Sequence, residues 1–473
     1  MPDHTDLERP AARDGSVWFA SALLPAGWCE GVRIRWQAGT IASIQVNVPA
    51  PPGEEHYAVG LPGLGNVHSH AFQRGIAGLT EYRRGTDDFW SWRDAMYRFV
   101  QQLEPADLEA VSALAYVEML ESGITRVGEF HYLHHARDAA HYTNIAEHAE
   151  RVVAAAEDSG IGLTLLPVFY AHGGVGAQPA TPAQGRFVNS LDSFARLLEA
   201  CRQIAARLSF SNVGVAAHSL RAVTPQQLQA LIPLAGHEPL HIHIAEQQAE
   251  VHQWLQWAGC RPVEWLLDHA PVGPQWCLVH ATHVTPVELA RLAASGATVG
   301  LCPSTEANLG DGAFPAQEYL AQNGSFGIGT DSNVLIDFAE ELRLLEYGQR
   351  LLHRKRNVLH HPAPDWPAVD WSTGRVLLER SLAGAQRTLH PLTGRLAPGC
   401  VADLIAGSTA HPSLTARQGD AWIDSWIFAG ATAIDSVWSA GRKVVSAGRH
   451  HARERIAGRY RAALQRLLRS GSD

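Results

Sequence analysis

Short apolar runs recur along the chain at intervals too long for hairpins. Eight stand out, at residues 61–67, 124–130, 161–170, 213–219, 239–245, 276–281, 297–303 and 326–332. They are near-continuously apolar, the pattern of parallel strands covered on both faces. Most are separated by stretches of helical periodicity, among them 105–122, 141–159, 190–208 and 285–295. Strand and helix in strict alternation predict an α/β protein, a (β/α)8 TIM-type barrel whose chemistry sits at the C-terminal strand ends.

The ends of the chain are patterned differently. Residues 16–59 carry short β-type runs between Gly and Pro turns, and similar runs return at 394–404 and 434–445. This predicts a small β-sandwich module from both chain ends, residues 1–60 and 385–450, bracketing a barrel at 61–384. The Arg-rich amphipathic stretch at 453–468 predicts a terminal helix within residues 451–473. Residues 1–15 are polar and carry acids, so they are expected to fray and do not resemble a secretory leader.

Composition narrows the partners. Hydrophobic residues make up 46% and the net charge is −9, which fits a globular chain without a basic stripe for nucleic acid or an anionic membrane. No apolar run reaches membrane-spanning length. Six scattered cysteines without a CxxC predict reduced thiols in a cytoplasmic enzyme. The positive charge is nearly all arginine, and Lys355 and Lys443 are the only lysines.

Polar residues gather where a barrel would use them. The first run leads into His68-x-His70, two imidazoles that point the same way on a strand. The second leads into His131 and Tyr132; the fourth ends at His218, with Arg221 beyond. The fifth carries His241, His243 and then Glu246; the sixth ends in His280, with His283 after it; the eighth contains Asp331. His68, His70, His243 and Asp331 form a candidate quartet for one divalent metal, Zn²⁺ above all, with Fe²⁺ also suited to N and O ligands. His241 and His243 share a strand face, so depth decides between them, and His241 is the expected packing residue. His131, His134 and His135 are expected to be mostly solvated. His283 is open between a helix-start residue and a substrate contact. Asp331 has an alternative as a helix N-cap, and Arg221 is a candidate carboxylate clamp.

This ordered set resembles the amidohydrolase superfamily, as does the segment GRLAPGCVADL at 394–404. Many binuclear members bridge two metals with a carboxylated lysine on strand four. No lysine precedes Lys355 here, so the resemblance implies a mononuclear site. The spacing His243-x-x-Glu246 is similar to the mononuclear deaminase branch, which implies a glutamate that shuttles a proton and is not a ligand. Narrower still, HSHAFQRGIAGLTE (68–81), FWSWRDAMY (89–97), HSLRAV (218–223), HIAEQ (243–247), HATH (280–283), CPSTEANLGDG (302–312) and GTDSN (329–333) resemble the formimidoylglutamate deiminase family of bacterial histidine degradation.

That likeness implies hydrolysis of N-formimino-L-glutamate to N-formyl-L-glutamate and ammonia. It implies Glu246, His280 and Asp331 as catalytic residues, and Gln73, Arg93, Tyr132, His218 and Arg221 as substrate contacts. Two arginine forks suit a dicarboxylate. The aromatic-rich stretch 86–100 is expected to be a helix on the barrel, a wall that delivers Arg93, or both. The family also suggests a homodimer. Two other readings share the metal pattern: a deaminase of a nucleobase or triazine, and a non-catalytic metal-binding barrel.

Overall fold

The computed structural model describes residues 14–83, 85, 87–366, 370–430 and 433–470. Of the stretch expected to fray, residues 1–13 lie outside the described residues, and Gly15 already begins a strand. The chain opens with β1 (Gly15–Leu24), β2 (Gly27–Gln37), β3 (Thr40–Gln45) and β4 (His56–Pro62).

Each of the eight apolar runs then supplies one barrel strand. These are β5 (Leu64–Ser69), β6 (Ile124–His131), β7 (Gly162–Phe169), β9 (Val215–Ser219), β10 (Leu240–Ile244), β11 (Trp276–His280), β12 (Thr298–Leu301) and β13 (Ser325–Ile328). A two-residue strand, β8 (Asn212–Val213), pairs only with β7. Every neighbouring pair in the ring is parallel, and β13 returns to β5, so the barrel closes. The strands are buried along nearly their whole length, as their lack of alternation requires.

The module is one sheet. It adds β14 (Leu404–Gly407), β15 (Ile434–Ser439), β16 (Arg442–Ser446) and β17 (Arg449–His450), in the order β17-β16-β15-β14-β4-β1-β2-β3. Its neighbours are antiparallel except β1 and β4. The sheet curls on itself: Ile41 next to its edge donates its N–H to Cys400 O at 2.8 Å, just before β14. Val17, Phe19, Val32, Ile34, Leu404 and Trp438 fill the curl with a core of its own.

The helix Thr373–Thr388 packs against β13 so closely that a Cβ at Gly384 would strike the Phe326 carbonyl oxygen. Its last residues meet the barrel floor, where Leu389 and Ala385 join Val67, Cys277, Val279 and Cys302. The helix expected from 141 begins only at Glu147, because residues 141–146 form a loop and Asn144 Oδ1 accepts the Ala146 N–H at 3.1 Å. The terminal helix Arg453–Ser470 lies on the helix Pro105–Glu121, pinned by Arg453 to Glu118 and Glu121.

Candidate active site and metal centre

The first and last barrel strands are stitched together at their C-terminal ends. His70 donates its N–H to Asp331 O at 2.8 Å, and Asp331 donates to His68 O at 3.0 Å. Asn66 Oδ1 accepts the N–H groups of His68 and Thr330, both at 3.2 Å. At three strand ends the backbone turns left-handed on a non-glycine residue: Ala245 after β10, His280 with Ala281 at β11, and Asp331 after β13. Such turns are strained and persist where the surroundings over-determine them. Here they swing the strand-end side chains towards one point.

Four ligand atoms meet there. His68 Nε2 lies 3.2 Å from His70 Nε2, 3.0 Å from His243 Nε2 and 3.4 Å from Asp331 Oδ1, and His70 Nε2 is 3.3 Å from the same oxygen. The Nδ1–H groups of His70 and His243 donate to Phe130 O and His218 O, both at 3.0 Å. Both Nε2 atoms therefore carry lone pairs. Two lone pairs and a carboxylate oxygen crowd one nitrogen of His68, where a single proton can satisfy one of them; a cation satisfies all. Metal–ligand bonds of about 2.0–2.2 Å put tetrahedral ligand atoms roughly 3.3–3.6 Å apart, close to the spacings found. Burial holds the histidines neutral, with His70 down at about 3 and His243 well below the usual range. Asp331 stays ionised despite its burial, through its bond to His68. The residues present thus fit one divalent metal.

Asp331 does not cap a helix: Asp337 caps the helix Phe338–His353 instead. His241 points to the barrel floor, where its Nε2–H donates to Thr388 O at 3.0 Å.

Beside the quartet stand Glu246 and His280. Glu246 Oε1 is 3.8 Å from His280 Nε2, and its Oε2 is 3.8 Å from Arg221. Burial pushes the Glu246 carboxyl up to about 7, against the pull of His280 and Arg221. Burial also opposes charge on His280, but Glu246, Glu306 and Asp331 together carry it up to about 10.

A cavity of about 330 Å³ opens from this centre. Gln73 reaches it from the 3-10 turn Ala71–Ile76 and donates to Tyr132 Oη at 3.0 Å. Arg74 on the same turn clamps it from outside, bonding Glu118 at 2.7 Å and the carbonyls of Asn333 and Val334 at 3.1 Å. His218, near the end of β9, and Arg221, two residues past it, both line the cavity. The far wall is the helix α1 (Phe89–Val100), which Asp88 caps by accepting the Trp90 and Ser91 N–H groups. α1 delivers Arg93, whose guanidinium lies 4.5 Å from the Trp90 ring; Arg221 lies 5.9 Å from the same ring. Among the described residues, the buried Nε atoms of both arginines lack a hydrogen-bond partner. Residue 86, the first of the aromatic stretch, lies outside the described residues.

The metal quartet, Glu246, His280, Gln73, Arg93, Tyr132, His218 and Arg221 therefore meet in one cavity, with His68 directly behind it. One expectation is corrected. His131, His134 and His135 are buried, not solvated: His134 donates to Val168 O at 2.9 Å and His135 to Val188 O at 2.8 Å, from segments far along the chain. Of the two readings open for His283, the substrate contact is not met, since it does not line the cavity. Trp90, Tyr97, Tyr170 and Glu306 were missed. Trp90 sits three residues before Arg93, one helical turn away on the same face, and Tyr170 ends the third apolar run, so both signals were present.

The similarities to known proteins agree with this geometry. A formimidoylglutamate deiminase of Pseudomonas aeruginosa is 47% identical over 458 residues, 96% of this chain and 99% of that protein. The crystal structure of an amidohydrolase from Brucella melitensis superposes with a TM-score of 0.91 at 48% identity, covering 96% of this chain and 100% of that one. An adenosine deaminase from Xanthomonas campestris, solved with bound zinc, shares the fold at a TM-score of 0.78 and 19% identity, over 97% and 99% of the two chains. The profile of the Amidohydrolase family matches residues 59–444, and the chain belongs to that family.

Proposed function

We propose that this enzyme hydrolyses the formimino carbon–nitrogen bond of N-formimino-L-glutamate, releasing ammonia and leaving N-formyl-L-glutamate. The carrying observation is the placing of two guanidiniums whose Nε atoms lack a hydrogen-bond partner, Arg93 and Arg221, across one cavity from the His/Asp quartet. A substrate with carboxylates at one end and an amidine carbon at the other spans such a cavity. The name of the Pseudomonas relative supports the same substrate.

His68, His70, His243 and Asp331 would hold one Zn²⁺ or Fe²⁺, which supplies Lewis acidity and can lower the pKa of a water from about 15.7 to about 7. The chain does the rest. Arg93 and Arg221 bind the glutamyl carboxylates through forked hydrogen bonds. Gln73 and Tyr132, already bonded to each other, and His218, kept neutral by burial, line the path between the two ends. Asp331 accepts the proton of the attacking water, and His280 polarises that water. As water's oxygen bonds to the formimino carbon, Glu246 delivers one proton to the imino nitrogen; the proton held by Asp331 then passes to the same nitrogen, the carbon–nitrogen bond breaks to release ammonia, and the hydroxyl left on carbon becomes the formyl carbonyl as its proton returns to Glu246. A carboxyl held near neutrality by burial can be protonated before the step and ionised after it.

The six cysteines are free and fit a reducing, cytoplasmic setting. No described helix is long and apolar enough to cross a membrane.

The test is ammonia release by zinc-loaded enzyme with N-formimino-L-glutamate, N-formimino-L-aspartate, guanine and cytosine offered in parallel. Turnover of the formiminoglutamate alone is expected. Turnover of a base instead would overturn the arginine roles and leave the metal centre standing.

A further inference from the structure

His280 lies between carboxylates that face its two ring nitrogens. Nε2 looks into the site, 3.8 Å from Glu246 Oε1 and 3.7 Å from Asp331 Oδ2. Nδ1 looks away from it, 3.3 Å from Glu306 Oε1. That same oxygen accepts the Cys302 N–H at 2.9 Å. Glu306 is buried on the short helix Pro303–Leu309, directly beyond β12, and no step above uses it. A bond back from the first turn of its own helix accounts for the contact with Cys302. It does not account for His280, which belongs to another strand. His280 and the next residue, Ala281, hold left-handed φ values of +67° and +48°. That strained turn sets the imidazole between Glu306 on one side and Glu246 with Asp331 on the other.

We infer that Glu306 is the positioning residue of His280, accepting its Nδ1–H and thereby keeping Nε2 aimed at the reacting groups. The inference rests on the proposed hydrolysis and deepens it. A carboxylate on the far nitrogen of an imidazole fixes how the ring is turned and so where the other nitrogen points. Cys302 N–H holds the carboxylate in turn, so the strand end, the helix start and the reactive ring form one hydrogen-bonded unit.

The test compares E306A and E306Q with the parent in the metal-loaded, full-length enzyme. For E306A, kcat is expected to fall about 10–100-fold, the usual cost of removing an orienting partner. KM should stay within about twofold, since Glu306 touches no substrate. Metal content should hold, and a crystal structure should show the His280 ring turned. E306Q keeps an acceptor in place and should recover part of kcat. The inference fails if kcat of E306A stays within about threefold of the parent, or if it falls only in step with metal content and melting temperature. It fails equally if the ring does not move. An inactive parent would overturn the substrate assignment instead, and the ring orientation alone would then decide the role of Glu306.

Discussion

The two ends of the cavity are built on different principles. At the metal end every group sits on a barrel strand or within a few residues of one, and backbone bonds between β5 and the loop after β13 fix their spacing. At the arginine end the support is mixed: Arg221 follows β9 by two residues, while Arg93 comes from outside the ring, on α1. The first end is over-determined and crowded with acceptors. The second is held largely by aromatic stacking and keeps unsatisfied donors. On the proposed function, reaction type would be carried by the rigid ring, and substrate choice in part by a helix that can vary without disturbing it.

The sharpest break in that contrast is removal of a ligand. His70→Ala should eliminate both bound metal, read by elemental analysis, and turnover; retained metal would disprove the quartet. Next in size, Glu246→Gln should keep the metal while lowering kcat about 10²–10⁴-fold, the range for a lost general acid. Because burial raises this carboxyl to about 7, its protonated form is present below that pH and lost above it. The kcat of the parent should therefore decline on the alkaline side of about pH 7, and a flat profile there would remove Glu246 as the acid.

At the other end, Arg93→Met should weaken substrate binding by about 1.5–3 kcal/mol, roughly 10–150-fold in KM. Metal content should be untouched, and an unchanged KM would put the carboxylate site elsewhere. The smallest effect is expected from Trp90→Leu, which removes the face shared by both guanidiniums. A cation–π contact of about 0.5–2 kcal/mol corresponds to roughly 2–30-fold in KM. An effect on kcat in place of KM would move Trp90 to the reaction end.

The same contrast governs what the sequence could reveal. The metal end was legible because period-two strands and ordered strand ends need local pattern only: His68 and His70 share a face whatever surrounds them. His241 and His243 also share a face, and local pattern could not separate them. One strand repeat of depth does, placing His241 against the Thr388 carbonyl and His243 at the site. The arginine end was legible through resemblance, since nothing local marks Arg93 or Gln73. His134 and His135 were misjudged because their partners are distant in the chain: Val168 on β7 and Val188 in the loop beyond it. Nothing local marks Glu306, and only the packing of β11 beside β12 brings it to His280.

The stitching of β5 to the last strand end bears on how the protein comes into being. Its quartet needs the earliest barrel strand, a middle one and the latest, so a chain still short of Asp331 holds an incomplete set. An ion that binds only the finished ring stabilises it in proportion to the logarithm of metal concentration. The metal centre then acts as a latch on barrel closure: the ion that equips the enzyme for hydrolysis also rewards the chain for having arrived at its last strand.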